Sequence, residues 1–338
     1  MGAIQPDRRR LGRLSLGISL GLALAPLALT GCASIRDDGA AQSRALLHSP
    51  PAGLPRLIHL QDTPFFPQEE LQCGPAALAT LLQAIGRPVT PAMLTPQLFV
   101  PERGGSLQIE VLAAPRRHDA LAIRLPERLE ALLRELAAGH PVGVMQNLGL
   151  DWAPLWHFAV LIGFDLDRGE AILRSGTTRE QRLDLLTFER TWARAQRWAF
   201  VVRPPGDVPP TATAAALREA CLGFERVAPA PRAIQAWAAA ARAWPTDPVL
   251  GMGWGNALAR AGQTDAAAQA FNTVAEATDS AAAWNNLASI RLQQGRVLDA
   301  RQAARRALLR AAAAEPELLS AVQATQSEVE AALRRQLP

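Results

Sequence analysis

Two residues far apart in the chain combine the chemistry and the setting that a thiol hydrolase needs. Cys73 opens the run "CGPAALATLLQAIG", where a polar stretch gives way to apolar residues at helical spacing. A thiol attacks only as its thiolate, so a nucleophilic cysteine needs local positive potential to lower a pKa of about 8.5. Pro75 near the first helical position, with the apolar run behind it, predicts that the sulfur sits at a helix N-terminus, where the macrodipole is positive. Gly74 allows the backbone to turn tightly beside it. The second requirement is a base, and there are five histidines. His48 lies in a polar, small-residue stretch, His59 in "RLIHL", His118 among charges in "RRHDA" and His140 at a helix end before Pro141. His157 differs, because it opens the apolar strand pattern "HFAVLIGF" after "LGLDWAPLW", which places an imidazole at a sheet end above a cleft. Trp152 and Trp156, just ahead of it, suit either the lining of that cleft or core packing.

The elements around these residues follow from periodicity and breakers. Helices are predicted from Cys73 to about Ile85, near 107–114, and across "LPERLEALLRELAAGH", which ends in a glycine stop. Strands are predicted in "PVGVMQN", in "HFAVLIGFD" and "EAILRSG" joined by the turn "LDRG", and in "RWAFVVRP". Helices first and an antiparallel meander after them make the class α+β. "RPPGDVPPTAT", residues 203–213, is a proline-rich boundary, beyond which the strand signal disappears. From Ala214 onward the chain is Ala-rich, helical and internally repetitive, with Gly262 aligned to Gly295 at a spacing of 33 residues. Trp284, Leu287, Ala288, Gly295 and Ala300 fall where a tetratricopeptide repeat wants large, large, small, turn and small residues, so this region resembles that family. It holds two good repeats, a degenerate one before them and a capping helix near 315–335. The first good repeat departs from the pattern by having Gly251 where the second has Trp284.

At 338 residues and 49% hydrophobic the chain has material for two cores. Arg8, Arg9, Arg10 and Arg13 precede "LSLGISLGLALAPLAL", an export-signal pattern. Leu29-Thr30-Gly31-Cys32 then resembles the bacterial lipobox, which implies cleavage before Cys32 and lipidation of its sulfur. With Ala33 after the cysteine, the resemblance points to the periplasmic side of the envelope, at the outer membrane. Residues 1–31 carry four arginines and one aspartate, so their removal lowers the net charge from +4 to +1 and leaves no nucleic-acid footprint. Residues 32–55, small, polar and Pro-containing, read as the lipidated cysteine and a flexible tether. All 35 basic residues are arginine, which follows from a GC-rich genome and points to no function. Cys221 sits on a helix where packing explains it, and no His-rich or paired-Cys spacing predicts a metal or any other cofactor. "ERGGSLQIE", residues 102–110, lacks the ending of a nucleotide loop and reads as a helix start with Ser106 as N-cap.

The segments from Gln68 to Leu78 and from Trp156 to Asp165 resemble the cysteine and histidine boxes of the double-glycine leader peptidases, which process bacteriocin precursors and belong to the papain-like superfamily. The similarity covers roughly 60–202, and bacterial lipoproteins pairing such a domain with tetratricopeptide repeats resemble the whole chain. It implies a papain-like cysteine peptidase domain over 56–204, a linker at 205–213 and repeats over 214–338. It also implies roles: Cys73 as nucleophile, His157 as general base and Gln68 as oxyanion donor with the Cys73 backbone N–H, Gln72 being a less suitable donor. The family expects Asp or Asn on the strand after His157 to orient the ring. Here the matching segment is "EAILRSGTT", with Ser175 or Arg174 near that place, whereas Asp165 and Asp167 read as hairpin-turn residues. Two functions follow from different classes. One is a membrane-anchored cysteine peptidase acting on a peptide or protein, with repeats that bind a protein partner. The other is a catalytically inactive envelope scaffold acting through the repeats alone.

Overall fold

A computed structural model of the chain describes residues 39–67, 72–100 and 105–336. The proposed signal, Cys32 and Gln68 therefore lie outside the described residues. Among the described residues, seven strands form one antiparallel sheet: β1 (Leu57–His59), β4 (Leu121–Arg124), β5 (Val142–Asn147), β6 (Trp156–Asp165), β7 (Glu170–Ser175), β8 (Thr178–Asp184) and β9 (Ala199–Arg203). Their order is β4-β9-β5-β6-β7-β8, and β1 pairs with the far half of β6, where β5 has ended. A separate ribbon joins β2 (Phe99–Val100) to β3 (Gly105–Ser106).

Strand β6 organises the site. Its continuous apolar run is that of a strand covered on both faces. Ala159 and Leu161 face a core shared with α5 (Leu129–Ala137) and α6 (Leu185–Ala193), through Leu132, Leu136, Phe188 and Trp192. Phe158, Val160 and Ile162 face α2 (Cys73–Ala84), through Leu78, Leu81 and Leu82. Gly74 to Leu82 are all buried, so α2 is a core helix whose two ends, Cys73 and Gln83–Ala84, alone meet the surface. Gly143 of β5 allows α2 to approach, since a Cβ there would meet Phe200 and Leu81.

Two expectations change, and two strands stand outside them. Residues 41–48, expected within the flexible tether, form α1 (Ala41–His48), which packs on α5 and α6 and buries Leu46. The cause is remote: the buried Glu189 carboxylate accepts hydrogen bonds from the Gln42 and Ser43 backbone N–H groups at 3.2 and 2.6 Å, capping the helix from another element. Strands β4 and β8 join the sheet although their sequences show little apolar alternation. Ser106 is not an N-cap. Helix α4 (Gln108–Ala113) starts after Leu107, and the Ser106 hydroxyl is buried without a hydrogen-bond partner among the described residues.

The proline-rich stretch leads into α7 (Ala214–Glu225) and α8 (Ala230–Ala243), then two hairpins: α9 (Pro248–Arg260) with α10 (Thr264–Thr278), and α11 (Ala281–Gln293) with α12 (Val297–Ala314). Helix α13 (Leu319–Gln336) packs against α12 as the cap. Gly262 and Gly295 both close their hairpins at φ +73°, the left-handed backbone that glycine adopts without strain. The Gly251 departure has a packing reason, because a side chain there would strike Val274 of α10, while Trp237 of α8 lies over Gly253. No helix among the described residues is long and apolar enough to cross a membrane.

Candidate active site

Cys73 is the first residue of α2 and is half-buried, a free thiol at the positive end of a helix dipole. His157 is the second residue of β6, at the strand's outer end. The neighbours of the two residues lie close together, since a Cβ built on Gly74 would be 3.8 Å from Phe158 Cδ2. Cys73 and His157 therefore lie at the same end of the α2–β6 pair, each one residue along the chain from that approach. Ser106 closes on Gly74 still more tightly, its hydroxyl occupying the space that any side chain at position 74 would need.

Sheet register brings His157 its partner. Val160 pairs with Arg174 across β6 and β7, which sets Ser175 opposite Ala159, with His157 two residues along on the same face. The His157 Nε2 to Ser175 Oγ distance is 3.0 Å. Arg174 points the other way, and its guanidinium donates to the carbonyls of Gln61 and Thr63 at 2.8 and 2.9 Å, which removes it as the orienting residue. Asp165 accepts from the Asp167 and Arg168 backbone N–H groups at 3.0 Å, and Asp167 pairs with Arg56, as turn residues do.

Among the described residues the hydrogen bond made by the His157 ring is to Ser175 and not to the thiol. Contacts of this kind commonly close only when substrate binds. Burial holds the His157 imidazole below its ordinary 6.5, so the ring is neutral near pH 7. With Nε2–H donating to Ser175, Nδ1 carries the lone pair that can take a proton. Directly across the ladder from His157 is Gln146, itself buried, whose amide donates to Thr191 Oγ1 of α6 at 2.6 Å. Residue-type reasoning passed over both Gln146 and Ser106. Ser106 had a ready explanation as a helix cap, and Gln146 reads as an ordinary strand residue.

Gln72 precedes the helix, and its carbonyl accepts from the Ala76 N–H at 3.0 Å. The other histidines have structural surroundings: His140 Nδ1 lies 2.7 Å from the buried Glu135 carboxylate, and His59 lies 3.5 Å from Glu180. Cys221 is packed in the core, and burial pushes its thiol up to about 12. Among the described residues no group of three or more metal-ligating side chains occurs.

Residues 60–200 match the Peptidase_C39 like family. The matched segment runs from the end of β1 into β9 and contains Cys73, His157 and Ser175. Among solved structures, a C39-like protein from Bacillus anthracis is 18% identical over 43% of this chain and 96% of its own, with a TM-score of 0.38. A double glycine motif protease from an AMS/PCAT transporter, solved with the leader peptide, is 23% identical over 42% of this chain and 91% of its own, with a TM-score of 0.31. The first TPR domain of human RPAP3 is 18% identical over 35% of this chain and 94% of its own, with a TM-score of 0.29. No curated protein matches the chain. An α+β domain with an antiparallel sheet, matched over residues 60–200 by the C39-like family, is thus followed by helical hairpins.

Proposed function

We propose that the chain is a lipid-anchored cysteine peptidase of the bacterial envelope, in which Cys73 is the nucleophile and His157 its general base. Ser175 orients the imidazole, Gln68 completes the oxyanion hole with the Cys73 backbone N–H, and the repeats bind a protein partner or the substrate itself. The observation that carries this reading is the 3.0 Å contact from His157 Nε2 to Ser175 Oγ, which orients the ring and, with Nε2–H as donor, leaves Nδ1 as the base, together with a thiol that opens a buried helix.

The chemistry follows from these positions. His157 Nδ1 takes the thiol proton, and the Cys73 sulfur bonds to the scissile carbonyl carbon, whose oxygen becomes negative and is met by the oxyanion donors. The carbon–nitrogen bond then breaks, and the imidazolium returns the proton to the leaving amine. A water molecule, deprotonated by the same ring, hydrolyses the thioester and restores the thiol. Because burial disfavours the imidazolium, the charged ring is stabilised chiefly by the thiolate it creates.

One observation favours the alternative, an inactive scaffold acting through the repeats: a neutral hydroxyl stands where the resembling family has a carboxylate or amide. Treatment with a peptidyl vinyl sulfone, followed by intact-protein mass measurement, separates the two. The peptidase reading expects one adduct on Cys73, lost in Cys73→Ala and slowed in His157→Ala. An unmodified thiol under conditions that alkylate free cysteine would leave the scaffold.

A further inference from the structure

The connection between β5 and β6 is a short hairpin with an unusual surface. Leu148, Leu150, Trp152, Leu155 and Trp156 are all exposed within nine residues, Trp152 at 83% and Trp156 at 51%. Side chains this exposed stand out from the surface; they do not line a cleft. The backbone beneath them is firmly built. Asn147, itself buried, accepts from the Gly149 and Leu155 N–H groups at 3.0 and 2.9 Å, and the Leu150 and Ala153 N–H groups each donate to the other's carbonyl at 3.1 Å. Arg194, just beyond α6, clamps the Asn147 carbonyl from outside at 2.9 Å. The fold therefore spends a buried asparagine and an arginine on holding five apolar side chains in water, which calls for an apolar partner.

The position of the chain's N-terminal segment says which partner. The described chain begins at Gly39, and a Cβ there would lie 3.3 Å from Ala193 Cβ, the last residue of α6. Ala193 is next to Arg194, so the segment arriving from Cys32 reaches the domain beside the root of this hairpin. Gly39 lies seven residue steps beyond Cys32, which at full extension span about 25 Å. We propose that the 148–156 hairpin seats in the same bilayer that holds the acyl chains of Cys32, turning the His157 end of the domain toward the membrane surface. This rests on the lipid-anchor reading given above, and it is independent of whether Cys73 is catalytic.

Three acyl chains suffice for attachment, so the hairpin's contribution is orientation: a second contact that stops the domain from swinging on its tether. Tryptophans suit the interfacial depth, where an amphipathic ring lies between headgroup and hydrocarbon. The hairpin carries Asp151 and no arginine, in a chain with 35 of them, so the contact is apolar and insensitive to salt. A peptidase held this way meets substrates close to the membrane surface, such as segments emerging from the bilayer.

The test uses the full chain, produced in its membrane, purified with its anchor and reconstituted in phosphatidylcholine vesicles with plain or brominated acyl chains. Brominated lipid is expected to quench the tryptophan emission of the natural chain, with most of that quenching lost in Trp152→Ser and reduced in Leu155→Ser, which keeps every tryptophan. The exposed positions of both residues leave the fold intact. Equal quenching in all three proteins, or none in any, would overturn the hairpin contact. Protection of Trp152 by an added peptide in place of lipid would overturn it in favour of a substrate surface. The mass of the mature N-terminus separates the premises: Cys32 without acyl chains would overturn the anchor and the orientation together, whatever the reactivity of Cys73.

Discussion

Ser175 makes one neutral hydrogen bond to the imidazole, and that bond sets the expected size of its effect. Losing it costs about 1 kcal/mol, so Ser175→Ala is expected to slow peptide hydrolysis about fivefold, whereas Cys73→Ala abolishes it. Ser175→Asp places a carboxylate against the ring, raises its pKa and moves the acid limb of kcat/KM to higher pH. In the natural chain that limb is expected below pH 6.5, because burial depresses the His157 pKa. Stability follows the same sign. Between the lowered folded value and 6.5 the unfolded chain binds more protons, so stability falls as pH drops through that window. Urea midpoints above and below it are expected to converge in His157→Gln. The pair of boxes made Cys73 and His157 legible, and strand spacing brought Ser175 within reach. Choosing Ser175 over Arg174 needed the register of β7 on β6, which a bulge between Leu161 and Gly163 shifts. A bulge leaves no mark in residue types.

Elements whose partners are close in sequence were readable, and elements held from afar were not. Helix α2, the hairpin of β6 and β7, and the repeat helices carry their own periodicity and stops. Helix α1 has few apolar residues, and its N-terminal N–H groups are satisfied by Glu189, 146 residues away from Ser43. Glu189→Ala leaves these donors without their acceptor and is expected to cost about 1–3 kcal/mol, with hydrogen exchange of residues 41–48 rising before global unfolding. Protection unchanged in that segment would mean that packing of Leu46 alone holds the helix. Strand β8, "TREQRLD", lies at the sheet edge with an exposed face, so its polar sequence fits its place and conceals it. Ser106 shows the opposite error: a good capping residue before a helix, set one position too early to cap it.

At the scale of the molecule, the proline-rich stretch joins units that share a core. Leu217, Cys221 and Phe224 of α7 and Trp237 of α8 pack in the same cluster as the sheet residues Leu121 and Val201, and only from Leu258 onward does a core built of helices alone begin. Thr211 N donates to the buried Glu135 carboxylate at 2.9 Å, and Asp119 takes ion pairs from both Arg87 and Arg232 at 2.6 Å. Truncation at Pro204 is therefore expected to yield an aggregating fragment, whereas truncation after Trp244 keeps the shared hairpin and is expected to be more soluble. Static light scattering of the two fragments checks this. The most direct test of the proposed catalytic pair is the alkylation rate of Cys73 against pH, in the natural chain and in His157→Ala. Cys221, whose thiol burial pushes up to about 12, stays silent until the protein unfolds. An activated pair gives labelling that persists well below the ordinary thiol pKa of about 8.5 and disappears without His157. A rate that rises only near that value and ignores His157 would contradict the proposed mechanism.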